Sequence, residues 1–148
     1  MPEKETLERA AEDKAEGKSP STQAGEFVRE EIEHVREGKH GARSAKQAIA
    51  IGLSKARRAG VKLPPPEKGE ASKETREQAK RDLKKGAKAA KKRPSAKRSS
   101  ASLRKLKREG HSAASKTALS RHARSVAAKR SAASRSRSAK KAAATRKK

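Results

Sequence analysis

Cysteine, tryptophan and tyrosine are absent from this chain of 148 residues, and Phe27 is its single phenylalanine. Without thiols there is neither a disulfide framework nor a thiolate metal site. Without aromatic side chains there is no stacking platform for single-stranded bases; Phe27 falls on an apolar helical stripe and reads as core. Large apolar residues are scarce as well. Leu, Ile, Val and Phe number 15, about a tenth of the chain, where less than a fifth combined with high net charge is the composition of disordered proteins. Most of the 30% hydrophobic share is alanine, which favours helix but buries too little area to offset the entropy of ordering. No stretch approaches the roughly 18 apolar residues of a membrane span. The acidic start MPEKETLERAAEDKAEG lacks the apolar region of a secretory signal. These absences predict a soluble, cytoplasmic chain with no large core.

What the chain has is charge, unevenly placed. The formal net charge is +25, yet residues 1–40 hold 11 acidic and 7 basic groups. Residues 83–148 hold 24 basic groups and one acid, Glu109. A block this basic repels itself and attracts polyanions. Its cations gather as Lys84, Lys85, Lys88, Lys91, Lys92 and Arg93; then Arg104, Lys105, Lys107 and Arg108; then Arg135, Arg137, Lys140, Lys141, Arg146, Lys147 and Lys148. Arg121, Arg124, Lys129 and Arg130 lie on a further helical segment. A solubility tail would carry acids too, so these groups are the candidate contacts to phosphate. DNA is the expected partner and RNA the alternative, since nothing here reads a 2′-hydroxyl. The acidic N-terminus is read either as an inert solvated segment or as a competitor that folds back on the basic tail.

Five segments follow from the punctuation: an acidic segment 1–20, a helical hairpin 21–63, a Pro-rich linker 64–71, a solvated basic helix 72–93 capped by Ser72, and a Lys/Arg/Ala/Ser-rich tail 94–148. Nine of the fifteen large apolar residues lie in 21–63. There a first helix, about Thr22 to Glu37 after a Ser21 cap, sets Phe27, Val28, Ile32 and Val35 on one side. A second opens at Ser44, with Gln47 at capping-box spacing, and stops at Gly60. Its stripe is Ala45, Ile49, Gly52, Leu53 and Ala56. The expected fold is mainly α, with Phe27, Val28, Ile32, Val35, Ile49 and Leu53 as the core of a thin hairpin and charged flanks that are helical or disordered. A weak echo links Arg36-Glu37-Gly38 to Arg108-Glu109-Gly110, and Lys46-Gln47-Ala48-Ile49 to Lys116-Thr117-Ala118-Leu119; in the second unit Ser112 or Ser115 would cap a helix through Leu119, Ala123 and Val126.

Enzyme signatures are missing. The histidines at 34, 40, 111 and 122 form no i, i+4 pair, no carboxylate is read as accompanying them at ligand spacing, and Glu30, Glu31 and Glu33 read as solvated helix positions. No phosphate-cradling or nucleophile-elbow glycine motif occurs. Hence no catalytic residue, metal, cofactor or small-molecule substrate is expected. The hairpin could imitate a helix-turn-helix with 45–59 as the reading helix, but its turn is long and basic and a third supporting helix is not obvious.

KQAIAIGLSKARRAG, and again LKREGHSAASKTALSRHARS, resemble a poorly characterised family of small basic bacterial proteins, often labelled DNA-binding or plasmid-stabilisation proteins, over about residues 21–66 and 103–130. The Lys/Ala-rich tail is similar to linker-histone tails, though no winged-helix domain accompanies it, and SRSRS at 134–138 resembles splicing-factor tails. The resemblance implies a bacterial, nucleoid-associated protein. Together with the charge it gives two expectations: a histone-like DNA binder with little sequence preference, or a hairpin that pairs with itself or a partner while the tail tethers it to nucleic acid.

Overall fold

The computed structural model describes residues 1–87 and 95–146. Among these the chain is mainly helical, with seven α-helices and one 3-10 turn: α1 (Lys4–Ala15), α2 (Pro20–Arg36), α3 (Ala45–Ala59), α4 (Lys73–Ala87), α5 (Ala96–Lys107), the turn Ser112–Ala114, α6 (Lys116–Lys129) and α7 (Ala132–Arg146).

Local rules account for most of the helix ends. Ser44 caps α3 by accepting from the Gln47 amide, while the Gln47 side chain reaches back to the Arg43 amide at 2.9 Å. Gly60 closes the same helix in the left-handed region at φ 104, where a side chain would be strained. Ser72 and Ser115 accept from Thr75 and Ala118 at the starts of α4 and α6. At α2 the cap is Ser19, not Ser21: its hydroxyl accepts from Thr22. Pro20 becomes the first helical residue, a position where its missing N–H costs nothing.

α2 packs on α3, α1 on α2, and α4 on α3. The approach of α2 to α3 is set by small residues. A Cβ on Gly52 would stand 2.6 Å from Val28 Cα and 2.9 Å from the Phe27 carbonyl oxygen. Ala45, Ala48, Gly52 and Ala56 are accordingly the apolar positions α3 buries. Ile49, expected in the core, is half-buried and belongs to neither apolar cluster. At the crossing itself α3 has no room for a side chain at position 52.

Two small clusters replace the single hairpin core. One gathers Ala10, Ala24, Phe27, Ala56 and Val61, with Leu53 and Leu63 against them. The other gathers Ile32, Val35, Ala42, Ala48, Ala113 and Ala114, with Val28 and Leu119 against them. Two expectations are corrected here. The acidic N-terminus is not a solvated segment: α1 packs on α2, burying Thr6 and Ala10, and Arg9 bonds Glu26 of α2 at 2.7 Å. Nor is 94–148 wholly a tail, since Ala113, Ala114 and Leu119 complete the second cluster. The Gly41 amide donates to Leu106 O and the Ala42 amide to Gly110 O, each at 3.0 Å, and Arg36 Nε donates to Ala114 O at 2.9 Å. Gly41 is needed there, because a Cβ would overlap the Glu109 carbonyl oxygen. The echoing segments therefore meet face to face. Ala123 and Val126, through which the expected helix runs, are exposed on α6.

Gly52→Ala tests the closest helix contact. Its helix propensity gain of about 1 kcal/mol is opposed by overpacking of about 1–3 kcal/mol against unyielding backbone. The expected result is a lower melting temperature by circular dichroism; a higher one would mean α2 and α3 do not approach as described.

Candidate nucleic-acid interface

The cations expected to meet phosphate sit on the outside. Lys84 and Lys85 are exposed in the last turn of α4. Arg104, Lys105 and Lys107 are exposed in the last turn of α5, which buries none of its residues, and Arg108 follows as its C-cap. Arg121, Arg124 and Lys129 are exposed on α6, and Arg135, Arg137, Lys140, Lys141 and Arg146 on α7. Lys88, Lys91, Lys92, Arg93, Lys147 and Lys148 lie outside the described residues, as does the end of the expected 72–93 helix. Glu109 is the one carboxylate side chain after residue 82. The Arg130 guanidinium donates to the Ser134 and Ser138 hydroxyls and joins α6 to α7.

Along α6 the basic groups form a local surface. Lys116, Thr117, Ser120, Arg121 and Arg124 line one shallow depression. Cations and hydroxyls in this arrangement offer donors to phosphate oxygens. On the opposite side Leu119 packs into the second apolar cluster, so α6 is anchored by one face and cationic on another.

Other basic residues are turned to internal work. Arg57 is buried, and its guanidinium donates to Leu63 O at 3.2 Å and Pro64 O at 3.1 Å, tying the Pro-rich segment to α3. Arg58 donates to Asp82 Oδ1 at 2.7 Å. Asp82 is 1% exposed and also accepts from Ser54 at 2.7 Å and Gln78 at 3.0 Å. Burial pushes its carboxyl up, but the bonds from Ser54, Arg58 and Gln78 outweigh it and hold the group below its ordinary value. α2, α4 and α6 all pack on α3, while Lys46, Ala50 and Arg58 of that helix stay exposed.

The reading of Glu30 and Glu31 as solvated is overturned: they are 2% and 1% exposed. Lys55 of α3 bonds Glu30 at 3.1 Å and stands 2.7 Å from Glu31 Oε2. Glu30 also accepts from the Glu3 amide at 3.1 Å. Burial raises the Glu30 carboxyl, while Lys55, the Glu3 amide and the Thr6 hydroxyl together bring it below the usual range. Beside this pair, the buried His40 places Nε2 3.2 Å from Glu31 Oε1, and His34 places Nε2 2.8 Å from Glu3 Oε1. The absence of a carboxylate at ligand spacing is therefore also corrected. Glu31 and His34 are three residues apart on α2, and that interval was the signal in the sequence; the burial came from partners far along the chain.

Residues 13–68 match the model of a family of unknown function (DUF6496). The match runs from the end of α1 through α2, the basic turn and α3 to the Pro-rich segment, a little over a third of the chain. No curated protein and no solved structure matches the sequence.

Asp82 gives a pH signature. Its folded value lies below the ordinary 3.8, so its stabilising contribution is complete above that pH and lost as pH falls through the folded value. Asp82→Asn should melt below the wild type at neutral pH, and the gap should narrow as the pH is lowered past 3.8. A gap independent of pH would remove the carboxylate from this role.

Proposed function

We propose that the chain binds nucleic acid, DNA first, through phosphate contacts made by α5, α6, α7 and the basic segments beside them, with little sequence preference. The observation that carries the reading is the separation of charge by burial. Among the described residues after 82 every Lys and Arg is exposed, while the carboxylates that could neutralise them lie almost entirely in the first half of the chain. Exposed cations release condensed counterions when they meet a polyanion. The sequence holds no tryptophan or tyrosine and a single phenylalanine, which is buried, so stacking on bases has no platform; this supports shape- and charge-driven coating of the kind expected of a nucleoid-associated, histone-like protein. The apolar side chains of α2 are already covered within the chain, by α1, α3 and the 112–119 segment, so the described packing leaves little for a hairpin that exists to pair with a partner. No described helix is long and apolar enough to cross a membrane.

Truncation at 83 would remove Ala113, Ala114 and Leu119 from the core, so charge neutralisation in the full chain is the cleaner test. Changing Arg104, Lys105, Lys107 and Arg108 together to Gln, at exposed sites, should leave helix content intact. It should weaken binding to duplex DNA and flatten the slope of log Kobs against log salt by up to about 0.9 for each phosphate no longer neutralised. An unchanged affinity and slope would remove α5 from the interface. Parallel titrations with single-stranded DNA and RNA rank the partners.

A further inference from the structure

Glu31, His34 and His40 each offer one ligand atom, and these atoms all lie within 4.8 Å of one another. We propose that the three side chains form a binding site for a divalent transition metal, zinc by its donor set, built from α2 and the turn that follows it. Two imidazoles and one carboxylate are borderline nitrogen and oxygen donors that suit zinc, whereas calcium and magnesium favour oxygen alone. Tetrahedral zinc at about 2.0–2.2 Å from each ligand needs donor separations of roughly 3.4 Å, so the observed cluster closes on the ion by small side-chain movements. Three protein ligands leave the fourth position to water.

The surroundings support a site rather than a chance meeting. Glu31 and His40 are 1% and 9% exposed. His40 Nδ1 lies 3.1 Å from the Gly41 carbonyl oxygen, and since a carbonyl only accepts, Nδ1 carries the proton. That bond turns Nε2 toward Glu31 Oε1. Fixing a ligating imidazole through its other nitrogen is the usual outer-shell arrangement of protein metal sites. The second ring is positioned by a carboxylate, His34 Nε2 being 2.8 Å from Glu3 Oε1, with Lys39 on the same oxygen at 3.1 Å. Lys55 occupies the other oxygen of Glu31 and leaves Oε1 to the site.

The position of the site gives it a consequence. His40 directly precedes Gly41 and Ala42, whose amides hold the backbone of Leu106 and Gly110. Zinc would pin the turn to α2 and so stabilise the surface on which the basic C-terminal half docks. The inference stands apart from nucleic-acid binding, because the ligands are inside the packed region and none is among the phosphate-contacting cations.

The test uses the untagged full-length protein, titrated with zinc by calorimetry and with cobalt(II) by visible absorption. One equivalent of zinc should bind, cobalt should show the intense bands of a tetrahedral site, and zinc should raise the melting temperature. His34→Asn, at the rim of the cluster, should keep the helical circular dichroism and bind zinc more weakly by at least the roughly 10–100-fold typical of losing an outer-shell group. Glu31→Gln and His40→Asn should do the same where they fold, and His122→Asn should bind like the wild type. No saturable zinc binding by the wild type, or a folded His34→Asn that binds zinc as tightly, would overturn the proposal.

Discussion

At Gly52 the backbone of α3 passes so near Val28 that nothing larger than hydrogen fits between them, and much of the molecule follows from that crossing. Helices this close bring Lys55 onto the flank of α2, where it meets Glu30 and Glu31. One half-buried ammonium thereby compensates two buried carboxylates, and Glu30 gains further donors from α1. Buried charge is costly unless paired and hydrogen-bonded, so this cluster depends on the crossing, and α1 in turn is held partly by the cluster.

The same economy of small side chains explains how a chain with few large apolar residues packs at all. Alanine buries little area per residue, but it lets helices approach until dispersion contacts are dense. The two clusters hold Phe27 and Val61 on one side and Ile32 and Val35 on the other, each completed by alanines from remote segments. Ion pairs and side-chain bonds to backbone carbonyls supply what area alone does not: Arg36 to Ala114, Arg57 to Leu63 and Pro64, and Arg58 to Asp82. Arginine suits these places because its guanidinium donates in several directions and stays charged.

Charge is consequently sorted into two populations. Inside, carboxylates from α2 and α4 are matched to Lys55 and Arg58. Outside, the cations of α5, α6 and α7 are exposed in a part of the chain whose one carboxylate side chain is Glu109, and they are what a polyanion would meet. α6 belongs to both worlds, since Leu119 anchors it while Arg121 and Arg124 face solvent. Nucleic acid on that face and an ion at Glu31, His34 and His40 would act on the two sides of one docking junction, the turn at Gly41 and Ala42.

By itself the sequence determined what is local: a mainly helical chain, the caps at Ser44 and Ser72, a choice of Ser112 or Ser115 at α6, the stop at Gly60, and an asymmetry of charge that no fold could hide. Phe27, Ile32 and Val35 were legible as core from their spacing on one helix. Only the tertiary structure decided which polar groups go inside. Glu30 is buried by a lysine 25 positions away, Asp82 by an arginine 24 positions away, and Arg36 is spent on a carbonyl 78 positions away. Helix caps depend on neighbours within a few residues, whereas the burial of a charge depends on a partner that folding alone brings near.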